Sequence, residues 1–176
     1  MFNPTRLTVA RMRRGLSKTA LARVIGVDLR SVSAFEDAEY APAPETLGAI
    51  AKALRFPHDF FIGDDADFPS AKTASFRSLS RRTAAQRDAA LGAGAIAFLL
   101  SDWLERCMQL PAVNIPDLSD ASPEAAALAL RSHWALGELP IKHLVQLLEA
   151  HGARIFSLGE MADEIDAFSL WRNDLP

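Results

Sequence analysis

The first sixty residues are broken so regularly that they can fold only as a set of short helices. A helical run at 6–14 meets Gly15, and a second at 18–25, which Ser17 is placed to cap, meets Gly26. Asp28 then stands at the N-cap of a run over 29–37, and Pro44 opens one that reaches residue 54. In that last run Leu47, Ile50, Ala51 and Leu54 fall on one face, so the piece has one side to bury and too little length to stand alone. Phe56, Phe60 and Phe61, closed by Gly63, add apolar mass at the end of this head, residues 1–63.

The joint between the second and third runs is the informative one. Leu21 and Ile25 sit four apart and face inward, Ala22 is small where another helix must approach, and Gly26 permits a left-handed turn. Val27, Val32 and Phe35 return to the same core. Two helices that cross steeply across so short a turn make a helix-turn-helix. The start of the third helix then offers Leu29, Arg30, Ser31, Ser33 and Ala34 to a DNA major groove, while the second aims its free N–H groups at phosphate.

The segments R-M-R-R-G-L-S-K-x-x-L-A (11–22), G-V-D-L-R-S-V-S-A-F-E (26–36) and P-A-P-E-T-L-x-x-I-A-K-A-L (42–54) resemble the Cro/cI-type (XRE) repressor DNA-binding domain. The resemblance implies a mainly α chain whose head is a five-helix, lambda-repressor-like domain. It also implies a buried ion pair between Arg11 and Glu36, with Lys18, Ser17 and Thr19 holding phosphate. Arg30 is the leading base reader, because its fork can reach guanine O6 and N7 together. Ser31 and Ser33 would touch phosphate or a base edge. Ala34 departs from the polar residues common there, leaving its methyl group to meet a thymine methyl. Asp28 is read as an N-cap and not as a base contact.

Beyond the head, residues 64–81 read as a linker of Asp, Pro and Ser, and 82–176 as a helical body with terminal strands. A helix over 82–110 has Thr83 as its N-cap and Pro111 as its stop. Ser122 and Pro123 open a second, which Gly137 ends; Pro140 opens a third, which Gly152 ends. Residues 153–158 and 165–171, rich in branched and aromatic types, read as a short terminal β-hairpin or strand pair. The long helix carries a stripe of Ala90, Leu91, Ala95, Phe98, Leu99 and Trp103, expected to pack on the two later helices or to form a homodimer interface.

Residues 75–90, 139–158 and 165–171 are similar to the part of helix-turn-helix regulators that is fused to an ImmA/IrrE-type metallopeptidase domain. That family's zincin helix carries H-E-x-x-H, which this sequence lacks. His58, His133, His143 and His151 show no zinc-ligand spacing and read as surface or capping residues, so no metal, cofactor or catalytic group is expected. A single cysteine, Cys107, excludes an internal disulfide framework. With no apolar run of roughly 18 residues and no signal core, a cytoplasmic protein with no membrane partner is expected.

Charge divides along the same line. Residues 1–60 carry nine Lys/Arg against six acids, and the remainder ten against sixteen, so a +3 head joins a −6 body. A basic head suits a polyanion at one end of the chain. The expected function is a non-enzymatic transcriptional regulator, a repressor binding palindromic double-stranded DNA as a homodimer, with the body open to a protein partner. Two alternatives stand beside it: the regulatory N-terminal part of a zinc metallopeptidase, and an antitoxin-like protein that captures a partner and represses its own operon.

Overall fold

The computed structural model describes residues 1–69, 74–76, 83–157 and 168–172. In the head, α1 (Pro4–Arg13), α2 (Lys18–Ile25), α3 (Leu29–Glu36) and α4 (Pro44–Leu54) enclose Leu7, Leu21, Val32, Phe35, Ile50, Leu54 and Phe61. Where a fifth helix was expected there is one 3-10 turn, His58–Ile62. Within this turn Phe60 lies 4.5 Å from Phe56 and 5.5 Å from Phe61, ring to ring.

Polar side chains bolt the head shut. Asn3, which the sequence reading passed over, caps α1 by accepting from the Thr5 N–H, and its Nδ2 donates to Gly63 O and Asp65 Oδ1, each at 2.9 Å. Thr5 Oγ1 accepts from the Ala66 N–H at 2.9 Å. Arg6 donates to Asp64 O and lies over the Phe60 ring; burial lowers its pKa, and Asp64 and Asp65 work against that shift. Arg14 donates to the carbonyls of Leu54 and Arg55, closing the C-terminus of α4. The start of the expected linker is therefore fixed, with Ala66 buried.

The chain divides into two units, Met1–Trp103 with Leu158–Leu170, and Leu104–Ser157 with Trp171–Pro176. The boundary between these units falls inside α5 (Ala84–Cys107). Thr83 caps α5 as expected, exchanging hydrogen bonds with Gln86. Small residues explain the rest: Ala89, Ala90, Gly92, Gly94 and Ala95 are buried, and a Cβ on Gly92 would lie 2.5 Å from the Arg13 backbone nitrogen. Ala90 and Leu91 cluster with Met12, Phe168 and Leu170, and Ala95 with Val9 and Ala66. The stripe, expected to pack on the later helices or to form a homodimer interface, packs in its first half on the head.

The strands also differ from expectation. β1 (Ala74–Phe76) pairs antiparallel with β2 (Phe168–Leu170), in the register Ala74↔Leu170 and Phe76↔Phe168. One partner thus comes from the expected linker. Residues 153–157 are not strand; Arg154 donates there to Gly152 O and pairs with Glu105 at 3.6 Å.

In the second unit, α6 (Pro123–His133) and α7 (Leu144–Ala150) contain no buried residue. Ser122 caps α6 as expected, but α6 stops at His133 because Ala135 and Gly137 take positive φ. Arg131 donates to the carbonyls of Gly137 and Leu139, holding that turn so that α7 begins only at Leu144, not after Pro140. Asn114 is the hub. Its N–H donates to His151 O and its O accepts from Trp134 Nε1, while its amide bonds His133 Nε2 at 2.7 Å and His151 Nδ1 at 3.2 Å. Trp134 stacks on His151 at 4.1 Å.

Two outcomes test this packing. In urea unfolding, Gly92→Ala should lose about 1–3 kcal/mol through overpacking, whereas Gly48→Ala in open space on α4 should gain about 0.5–1 kcal/mol. Asn114→Ala should speed amide exchange at residues 112–115, by a factor matching about 1–2 kcal/mol for two lost side-chain hydrogen bonds.

Candidate nucleic-acid interface

The second and third helices are set against each other by local chemistry first. Ser17 Oγ accepts from the Ala20 N–H at 3.0 Å, capping α2. Gly26 closes α2 at φ +73°, with open space around it, so the turn asks for glycine because of its backbone alone. Val27 N–H then returns to Ala22 O, and Asp28 leads the chain into α3 in extended conformation. Underneath, Leu21, Ala22, Val32 and Phe35 are buried in one cluster.

A buried ion pair fixes the direction of α3. Arg11 Nε and Nη2 meet Glu36 Oε1 and Oε2 at 2.6 and 2.9 Å, with the two side chains 10% and 4% exposed. The third donor, Nη1, reaches Leu16 O at 2.8 Å. One guanidinium therefore joins α1, the turn before α2, and the last residue of α3.

The residues expected at the interface separate into three groups. Ser17, Thr19, Leu29 and Arg30 are exposed, and Ser31 and Ser33 are half-buried. Arg30 has no hydrogen bond or ion pair among the described residues, so its five donors are unengaged. Lys18 is different. Its ammonium lies 3.5 Å from Glu36 and 3.6 Å from Asp37, so two carboxylates already balance the charge expected to meet phosphate. Ala34 corrects the sequence reading: it is 2% exposed, on the inner side of α3, and cannot offer its methyl group to a groove. Its position is two residues beyond the core residue Val32 and beside Phe35, where a helix turns inward.

Asp28 occupies the N-cap position, but its carboxylate makes no capping bond. Arg23, exposed on α2 and free of partners among the described residues, was missed. Its spacing of five from Lys18 was the available signal. The charges along α3 run one way, from Arg30 near the start to Glu36, Asp37 and Glu39 at and beyond the end.

Among the described residues no group of three or more His, Cys, Asp or Glu is placed to hold a metal ion. His133 and His151, however, are brought together on Asn114, which their spacing of eighteen gave no means of seeing. No helix of the described residues is long and apolar enough to cross a membrane.

The helix-turn-helix family pattern matches residues 9–61, the stretch that contains α2, the Gly26 turn and α3. Comparison with curated proteins and with solved structures gives no match. The matched domain supports a DNA-binding regulator of the Cro/cI type. Cutting the ion pair on one side, as in Glu36→Met, should cost about 3–5 kcal/mol in urea unfolding, and Arg11→Met/Glu36→Met together should cost less than either alone.

Proposed function

We propose that this chain is a sequence-specific transcriptional regulator, a repressor that binds a palindromic DNA site as a homodimer. The observation that carries the reading is the exposed start of α3. Arg30 is exposed there without a partner among the described residues, on a helix held in place by the Arg11–Glu36 pair. In a major groove, the Arg30 fork is suited to guanine O6 and N7. Ser17, Thr19 and Arg23 on α2 would hold phosphates, with Lys18 contributing once its carboxylate partners release it. Two copies would place two such helices about 34 Å apart, one turn of the duplex, since a single head makes too few contacts for a tight site. The reading assigns the chain no catalytic step.

A second reading rests on a different observation. Leu128, Leu139, Leu144 and Val145 on and between α6 and α7 are all more than half exposed. Apolar side chains left this exposed are suited to cover by another protein surface. Their exposure favours an antitoxin-like regulator that captures a partner while its head represses an operon, or a head whose second unit seats against a peptidase domain.

Footprinting on the chain's own upstream DNA tests the first reading. The expected result is a two-fold-symmetric protected site of about two helical turns. Arg30→Ala should lose about 1–3 kcal/mol on that site and discriminate less at one base pair per half-site. Loss that is uniform across sequences would mean that Arg30 touches only the backbone.

A further inference from the structure

We propose that Leu29 reads the 5-methyl group of thymine. The inference rests on the DNA-binding reading above and adds a specificity-determining residue to it. Leu29 is the first residue of α3, is 48% exposed, and belongs to none of the head's apolar clusters. It precedes Arg30 in the first turn of α3, and both side chains are exposed there. Charge along α3 bears on which end approaches DNA: Glu36, Asp37 and Glu39 repel phosphate from its far end, while the free N–H groups and Arg30 favour approach at its start, where the single carboxylate of Asp28 offsets part of that attraction.

The chemistry narrows further at that start. Ser31 and Ser33 are half-buried and polar, and Ala34, the other apolar candidate on this helix, is sealed in the core. Leu29 is therefore the apolar group that the leading turn presents. In the major groove, the C5 methyl of thymine is the apolar feature of the base edges, so a leucine side chain gains by covering it. The same contact would leave cytosine, which has hydrogen at C5, less favoured at that step.

The test removes one methyl group and nothing else. Duplexes that the full chain binds are first selected from a random library, and each thymine of the selected site is then replaced in turn by deoxyuridine. The expected result is a loss of about fourfold in affinity at one thymine in each half-site, the factor associated with burying about one methylene group. Leu29→Ala should bind the thymine and uracil duplexes equally at that step, while Arg30→Ala should keep the fourfold difference. Because Leu29 is exposed, the melting temperature of Leu29→Ala should match that of the parent chain, which guards against a folding artefact.

Equal binding at every uracil by the parent chain would overturn the proposal and leave the DNA-binding reading standing, since a selected site exists. A uracil penalty that persists in Leu29→Ala would also overturn it, by placing the methyl reader elsewhere. Failure to select any sequence would overturn the DNA-binding reading itself, and the proposal with it.

Discussion

The head is organised around one guanidinium. Burying Arg11 and Glu36 removes two charges from water, which is costly unless both are fully bonded, and here the two parallel hydrogen bonds and the third to Leu16 O meet that requirement. The pair spans 25 residues of sequence, so it forms only when α1, the turn before α2, and α3 are already in place. It therefore acts as a check on the correct arrangement more than as a source of stability. Its effect on the interface is indirect. Because α3 is gripped at its last residue and along its Val32–Phe35 face, its first turn needs no packing of its own, and Leu29 and Arg30 are left to solvent.

A second constraint is the closeness of α5 to the head. Helix α5 carries glycines and alanines where it meets α1, and the approach at Gly92 leaves no room for a methyl group. Such a contact gains little from any one side chain and depends on many small ones meeting in register. The Asn3 and Thr5 bonds to residues 63–66 serve the same end, because they direct the chain leaving the head. The DNA-binding head is thus larger than its helix-turn-helix, with Phe168 and Leu170 packed beside Ala90 and Leu91.

The second unit is built on another principle. With no buried residue on α6 or α7, it relies on directional bonds: one asparagine joins two histidines and a tryptophan, and Gly152 lies so close to Val113 that a side chain would be excluded. Hydrogen bonds in so exposed a place contribute modestly each, because water competes for every partner. Leu128, Leu139, Leu144 and Val145, which would form a core elsewhere, remain on the surface here.

Local signals were legible in the sequence wherever a residue acts on its own backbone. Ser17, Gly26, Thr83 and Ser122 take the cap and turn roles that their types and positions indicate, since those roles involve partners within four residues. The helix-turn-helix was legible for the same reason, as a short pattern of breaks and apolar positions. Only the tertiary structure decided the rest. Ala34 is buried because of how α3 rolls against its neighbours, and Lys18 faces carboxylates because the Arg11 pair brings Glu36 under it. β1 finds β2 across more than ninety residues, and Asn114 finds His133 and His151 across nineteen and thirty-seven. Periodicity reports which face of an element is apolar, but not what will cover it; that depends on contacts whose partners lie far apart in the chain.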